Sequence, residues 1–210
     1  MPRLLVLLAT LLLAATAAAQ TRTDAVAALA SPSAETRRQG ALQLAEVGTM
    51  ADVKPLVAAL RDPDELMRAV AEHALWQVWS RSGDAKIDAL YRRGVGEMQS
   101  GRLDAGIATF TEIIRARPAF AEGWNKRATL YYMTGDFKRS LADCDEVMKR
   151  NPWHFGALAG YGQIYFQLEQ PEKALEYFRK ALAVNPNMQG VRLNIEGLEE
   201  LLAAKRGKVI

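Results

Sequence analysis

Bulky, small and polar positions recur along the C-terminal part of the chain with a period of 34 residues, marked by Pro118, Pro152 and Pro186. The three units are residues 87–120, 121–154 and 155–188. In each unit the fourth residue is bulky, and the eighth and twentieth are small. Small residues let two helices approach closely, and bulky ones fill the space beside them. The pattern therefore predicts an antiparallel helix pair in each unit, stacked on its neighbours.

Turn and helix-end signals fall at consistent places in these units. Each of the three prolines is expected to end a second helix, because the residue before a proline is driven out of the α region. Gly101 and Gly135 fall between the two helices of their units, where a left-handed residue is needed. Pro171 stands where a new helix begins in the third unit, a position that tolerates a missing N–H.

After the third unit, residues 189–205 keep an apolar stripe at helical spacing. The stripe is formed by Val191, Leu193, Ile195, Leu198, Leu201 and Leu202. It predicts a capping helix that covers the last repeat, followed by a short tail to residue 210.

The residues at the repeated positions resemble the tetratricopeptide repeat (TPR) family. The small eighth residues are Gly94, Ala128 and Gly162, and the twenty-fourth are Phe110, Cys144 and Phe178. The family pattern places an aromatic, a small residue, Tyr, Ala, Phe and Pro at these offsets. The first unit departs from it, with Glu97 in place of Tyr and Gly106 in place of Ala. The resemblance implies a helical-hairpin solenoid over this part of the chain.

A second periodicity, of 31 residues, precedes the first. It relates Ser31-Pro32 to Asp62-Pro63 and Arg37 to Arg68. An Asp-Pro loop and an arginine before an Ala/Leu-rich helix resemble short HEAT-like repeats. The predicted fold is therefore all-α, with HEAT-like repeats followed by three TPRs and a capping helix. The predicted domains are 20–85, 86–188 and 189–210, with Trp76 and Trp79 expected near the first boundary.

The N-terminal residues 1–19 have the pattern of a secretory signal peptide. Arg3 precedes an apolar run from Leu4 to Ala15, and three alanines ending at Ala19 offer a cleavage site. Cleavage after Ala19 predicts a periplasmic or secreted protein with no stable membrane insertion. An uncleaved anchor is the alternative, and the mass of the purified protein distinguishes the two.

Composition and candidate chemistry narrow the function. The formal net charge is +3, with no dense Lys/Arg stripe, which argues against a nucleic-acid partner. Cys144 is the only cysteine, so no internal disulfide forms, and we expect it to be a small buried hydrophobe. His73 and His154 are far apart in the sequence and join no metal or catalytic motif. Asp143 and Asp145 are interpreted as a solvated helix face. We therefore expect that the protein has no enzymatic activity and binds no cofactor.

The TPR resemblance implies that the first helix of each repeat lines a concave groove. The predicted groove residues are Tyr91, Val95, Met98, Asn125, Thr129, Tyr132, Gln163 and Phe166. Met98, Tyr132 and Phe166 form a ladder of large apolar residues, one in each repeat. Whether these three bind a ligand or pack between helices is left open by the sequence.

The groove composition favours one kind of partner. The TPR clamp for C-terminal carboxylates needs polar or basic groups where this chain has Tyr91, Val95, Gly156 and Gly160; only Lys126, with Arg92, keeps a positive charge nearby. The expected function is an exported scaffold or adaptor that binds an extended or helical peptide. The alternative is a chaperone-like holder of an unfolded exported client, which would suppress aggregation of an unrelated unfolded protein. Self-association remains open, because solenoid ends can stack.

Overall fold

The computed structural model describes residues 20–207, which form two compact units on either side of the Trp79–Ser80 bond. All regular elements in this range are helical, so the all-α prediction is confirmed. The predicted signal peptide, residues 1–19, and residues 208–210 of the predicted tail lie outside the described part. Within residues 20–207, no helix combines the length and apolar character that crossing a membrane requires.

The N-terminal unit consists of short helices, of which α2 and α3 pack on α4. Its elements are α1 (residues 20–28), α2 (Ala34–Val47), a 3-10 turn (Met50–Asp52), α3 (Val53–Ala59) and α4 (Glu65–Trp79). Two arginines repeat the same contacts with backbone carbonyls. Arg37 donates to Ser31 and Pro32 at 3.0 and 3.1 Å, and Arg68 donates to Asp62 and Pro63 at 3.0 and 3.3 Å. The 31-residue period thus corresponds to a repeated local geometry.

The C-terminal unit contains three helical hairpins and a final long helix. Its helices are α5 (Ala85–Gln99), α6 (Leu103–Ala116), α7 (Ala121–Met133), α8 (Phe137–Arg150), α9 (Phe155–Gln167), α10 (Pro171–Val184) and α11 (Gln189–Gly207). The hairpins are α5/α6, α7/α8 and α9/α10, and each second helix also packs on the next first helix. Helices α5, α7 and α9 lie side by side, and α11 packs on α10.

Small residues in the first helices face large residues in the second helices, as the repeat pattern predicts. A Cβ built on Gly94 would lie 2.8 Å from Cζ of Phe110, and one on Gly162 would lie 2.5 Å from Cδ1 of Phe178. In the middle hairpin the first helix carries a larger residue and the second helix a smaller one, because Ala128 and Cys144 take the places of glycine and phenylalanine. Close packing of this kind leaves no room for an added methyl group in the first and third hairpins.

Cys144 is a buried hydrophobe, as predicted. Its side chain is 3% exposed. Burial, together with the negative charges of Asp143 and Asp145, raises the pKa of the thiol to about 12. The group therefore stays protonated near neutral pH and has little nucleophilic character.

The hairpin turns follow the sequence prediction in two repeats and depart from it in the third. Gly101 and Gly135 adopt φ angles of 72° and 78°, in the left-handed region. The equivalent residue in the third repeat is Glu169, which takes φ 56° without being a glycine. Pro171 is in the first turn of α10, as expected. The turn geometry is thus preserved even where the preferred residue is missing.

Asp143 does not lie on a solvated helix face, and this corrects the sequence interpretation. The side chain is 4% exposed, and its two oxygens accept hydrogen bonds from the Arg127 guanidinium at 2.7 and 2.8 Å. Asp145 points the other way and accepts a hydrogen bond from the Tyr161 hydroxyl. The two carboxylates therefore join α8 to the helices on both sides of it, α7 and α9.

Candidate functional site

The eight predicted groove residues differ in how deeply they are buried in the C-terminal unit. Tyr91 and Asn125 are buried, each with 8% of its surface exposed. Val95 and Met98 are half-buried and pack against the core of the first hairpin. The structure therefore places these four residues largely within or against the interior, although Asn125 also borders a pocket. The remaining four residues are Thr129, Tyr132, Gln163 and Phe166, which line two neighbouring pockets.

The first of these, which we call the inner pocket, lies between α7 and α9 and has a volume of about 190 Å³. It is lined by Asn125, Ala128, Thr129, Tyr132, Ser140, Cys144, Gly156, Ala157, Gly160, Gln163 and Ile164. Gly156 and Gly160 stand one helical turn apart and leave the pocket open because they carry no side chains. A Cβ on Gly160 would make only an ordinary contact with Sγ of Cys144, at 3.8 Å.

The second, which we call the end pocket, involves α9, α10 and α11 and has a volume of about 370 Å³. It is lined by Gln163, Phe166, Phe178, Leu193, Asn194, Gly197, Leu198 and Leu201. Leu193 and Leu201 are 57% and 41% exposed, although the sequence placed them in the stripe that covers the last repeat. Val191, Ile195 and Leu198 do cover it, whereas Leu193 and Leu201 face the pocket instead.

The two pockets are adjacent and share Gln163. The residues that line them include no charged side chain. Three helices each contribute one carboxamide to the pockets, namely Asn125 on α7, Gln163 on α9 and Asn194 on α11. A carboxamide both donates and accepts hydrogen bonds, so it matches the N–H and C=O groups of a polypeptide backbone. Apolar pockets next to such groups suit a chain segment with apolar anchor side chains.

The apolar ladder divides between the pockets and the core. Tyr132 lines the inner pocket, where its hydroxyl accepts a hydrogen bond from Nε2 of Gln167 at 3.3 Å. Phe166 lines the end pocket and is 50% exposed. Met98 packs against the core of the first hairpin. Two members of the ladder are thus available to a ligand, and the third belongs mainly to the packing.

Next to the inner pocket lies a buried polar network centred on Glu122, whose side chain is fully buried. Its Oε2 is 2.9 Å from Nε2 of His154. Its Oε1 is contacted by three further donors: Nζ of Lys126 at 3.0 Å, Nδ2 of Asn125 at 3.1 Å and the Tyr91 hydroxyl at 3.4 Å. The carboxylate thus joins α5, α7 and the loop before α9.

The network holds Glu122 in its charged form. Nδ1 of His154 accepts the backbone N–H of Ala157 at 3.0 Å, so the imidazole carries its proton on Nε2 and donates it to Glu122. Burial alone would raise the pKa of Glu122. The hydrogen bond from His154 and the charge of Lys126 outweigh burial and lower that pKa to about 2.

Sequence reasoning missed this network, although a signal was present. The last residues of the three units are Phe120, His154 and Met188, so a polar residue interrupts an apolar position. The partners Glu122 and His154 are 32 positions apart and meet only when the repeats stack. Within the described residues, no group of three or more His, Cys, Asp or Glu side chains is arranged to hold a metal ion.

Comparison with known proteins bears on the C-terminal unit and on part of the N-terminal unit. The tetratricopeptide repeat family models match residues 91–153 and 158–188. A TPR repeat-containing protein of Rhizobium etli is 31% identical over 146 residues, which cover 70% of this chain and 71% of that protein. The Hsp70-Hsp90 organizing protein 1 of Glycine max is 28% identical over 102 residues, 47% of this chain but only 17% of that protein.

A solved structure shares the fold. The first TPR domain of Spaghetti (RPAP3), bound to the HSP90 peptide SRMEEVD, superposes with a TM-score of 0.55 at 22% identity. The superposition covers 57% of this chain and 96% of that domain. Together with the stacked hairpins and the relative from Rhizobium etli, this agreement shows that the chain belongs to the tetratricopeptide repeat family.

Proposed function

We propose that this protein is an exported scaffold that binds a polypeptide segment in the groove formed by the inner and end pockets. The observation that carries the proposal is the pair of adjacent, uncharged pockets that share Gln163. Two anchor side chains of one partner segment would enter the two pockets, and the carboxamides along the groove would bond its backbone. A site of this kind binds with a Kd of roughly 1 μM, or about −8 kcal/mol.

The RPAP3 domain shares this fold and is bound to an HSP90 peptide, which supports a peptide-binding role for a helical unit of this kind. In this chain Gly156 and Gly160 provide space rather than charge in the inner pocket. We therefore propose a partner segment that is apolar and internal to its chain. Binding accounts for these pockets without catalysis, since none of their lining residues is a charged group that would transfer a proton.

Two further parts of the proposal rest on the N-terminal sequence. Export is supported by the signal-peptide pattern of residues 1–19, and the mass of the mature protein tests it. A HEAT-like character of the N-terminal unit is supported by the repeated contacts of Arg37 and Arg68 with backbone carbonyls. An intact Met1 in the purified protein would contradict cleavage after Ala19.

Filling the pockets tests the binding function. A random 12-residue library, displayed on phage with its C-terminus fused to the coat protein, would be selected on the full-length protein. The most enriched sequence, made as a synthetic peptide with both ends blocked, is called the selected peptide below. Gly160→Leu and Gly197→Leu place side chains in the inner and end pockets, and a Cβ at Gly197 meets no atom within 4 Å. Each is expected to weaken binding of the selected peptide by at least tenfold, measured by fluorescence anisotropy.

The control is Gly190→Leu, an identical substitution on α11 at an exposed position that lines neither pocket. A Cβ there also meets no atom within 4 Å. Replacing glycine within a helix favours the helical state by several tenths of a kcal/mol, so loss of folding would not explain loss of binding. Equal affinities for all four proteins, wild type included, would contradict the proposed site.

A further inference from the structure

Resting on the proposed function, we propose that Glu122 is a specificity-determining residue of the groove. By holding the partly exposed Lys126 ammonium in an ion pair, Glu122 makes the groove neutral and selective for internal chain segments over free C-termini. Glu122 acts through Lys126 and Asn125, and its own side chain is fully buried.

The Glu122 network places Lys126 next to a residue of the inner pocket. Glu122 and Lys126 are the second and sixth residues of their unit. The same positions in the next unit are Gly156 and Gly160, which line the inner pocket. Lys126 is 22% exposed along its side chain, and its ammonium shares Oε1 of Glu122 with Asn125, which lines the inner pocket. The other basic residue at this position of a unit, Arg92, is on α5, which contributes to neither pocket.

The ion pair is fixed from the side opposite Lys126. Nζ of Lys126 lies 3.0 Å from Oε1 of Glu122, while His154 binds Oε2 at 2.9 Å. His154 is itself held by the backbone N–H of Ala157, so the carboxylate cannot turn away from the lysine. A charge that is already paired in this way has little attraction left for the carboxylate of a ligand.

The same carboxylate orients a groove carboxamide. Nδ2 of Asn125 donates to Oε1 of Glu122 at 3.1 Å, and Asn125 also lines the inner pocket. With one N–H of its NH₂ group directed at Glu122, the amide is oriented so that its oxygen can accept a backbone N–H of a bound segment. Glu122 therefore contributes to both features that favour an internal segment: a neutral surface and an oriented amide.

Glu122→Gln would reverse this selectivity. The glutamine oxygen can still accept from His154, but its NH₂ group then faces the Lys126 ammonium and the Asn125 NH₂, which can only donate; the Tyr91 hydroxyl is the one neighbour there that can also accept. Lys126 then loses its ion pair with the Glu122 carboxylate, and its ammonium is expected to become more accessible from the groove. A charge-assisted contact with a ligand carboxylate would then favour free C-termini by about tenfold.

The first measurement needs no ligand. Acetylation with a water-soluble amine reagent, followed by mass spectrometry, reports how accessible each lysine is in the full-length protein. In Glu122→Gln the labelling rate of Lys126 is expected to rise several-fold, while that of Lys138, an exposed lysine on α8, stays constant. An unchanged rate at Lys126 overturns the proposal, and thermal unfolding confirms that the variant is folded.

The second measurement tests selectivity with two libraries, one displaying free C-termini and the other fused at the C-terminus. Enriched peptides are synthesised with a free carboxylate and with a carboxamide, and their affinities are compared. Wild type is expected to bind both forms equally. Glu122→Gln is expected to prefer the carboxylate by about tenfold, and Glu122→Gln with Lys126→Gln to lose that preference.

The outcomes separate the two proposals. A wild-type preference for the carboxylate form overturns the role of Glu122 and leaves peptide binding intact. If Glu122→Gln binds the carboxylate and carboxamide peptides equally, the role of Glu122 is likewise overturned and peptide binding is left intact. If neither library yields a peptide that Gly160→Leu or Gly197→Leu weakens, the proposed function fails and the role of Glu122 falls with it.

Discussion

Gly162→Ala is expected to lower the free energy of unfolding by about 2 kcal/mol, although alanine is the better helix former. The added Cβ would stand 2.5 Å from Cδ1 and Cε1 of Phe178. That ring is 1% exposed, so it has no solvent side into which it can move. Relief therefore requires the α9/α10 hairpin to separate, and urea unfolding monitored by circular dichroism measures the cost.

Two variants isolate the steric cause. Gly197→Ala adds the same methyl group where no atom lies within 4 Å, and it is expected to raise stability by up to about 1 kcal/mol. In a Phe178→Cys background, Gly162→Ala recreates the Ala128/Cys144 pair of the middle hairpin, so its penalty is expected to disappear. The same loss in both backgrounds would show that the contact with Phe178 is not the cause.

Glu122→Ala is expected to lower the free energy of unfolding by about 3 to 5 kcal/mol, the usual cost of removing one partner from a buried ionic network. The substitution deletes the acceptor shared by His154, Lys126, Asn125 and Tyr91. Lys126 has partial access to water, but His154 is fully buried and would lose its acceptor. Glu122→Gln keeps an acceptor for His154 and is expected to cost less.

The carboxylate of Glu122 also makes the free energy of unfolding depend on pH. The pKa of Glu122 is lowered to about 2 in the folded protein, from about 4.3 in an unfolded chain. Its contribution is therefore complete above about pH 5 and is lost as the pH falls towards 2. The difference in unfolding free energy between wild type and Glu122→Gln is expected to shrink across this interval. Parallel curves for the two proteins between pH 5 and 2 would contradict the ion pair.

The hairpin architecture could be predicted because its determinants are local and repeat in the sequence. The prolines after α6, α8 and α10 and the glycine turns act within a few residues. Cys144 could likewise be assigned to the core from its place in the register. Glu169 escaped prediction because the turn keeps the backbone hydrogen bond that closes the glycine turns, from Gln170 N–H to the Tyr165 carbonyl at 2.9 Å, without the glycine that would signal it.

The candidate site was only partly predictable, because its key features depend on contacts between repeats. The burial of Asp143 depends on Arg127, which lies 16 positions away on another helix. Glu122 and His154 are further apart still; His154 interrupts an apolar repeat position, but nothing in the sequence indicates that Glu122 is its partner. The missing clamp residues at Gly156 and Gly160 did carry a signal, since the absence of side chains there opens the inner pocket.

On α11 the spacing of apolar residues was not sufficient to predict which of them are buried. An apolar stripe at helical spacing predicts one buried face, but Leu193 and Leu201 lie at its edge and line the end pocket. The distinction between a capping surface and a binding surface requires the position of α11 relative to α9, which the sequence does not specify.

The most direct test of the central claim is to map where a bound peptide lies on the full-length protein. The selected peptide would carry a photoreactive diazirine leucine in place of each apolar residue in turn, and crosslinked positions would be located by mass spectrometry. We predict crosslinks to the pocket-lining residues of α7, α9 and α11, close to Gln163 and lost with Gly160→Leu and Gly197→Leu. Crosslinks confined to the outer surfaces of α6, α8 and α10 would contradict the proposed binding site.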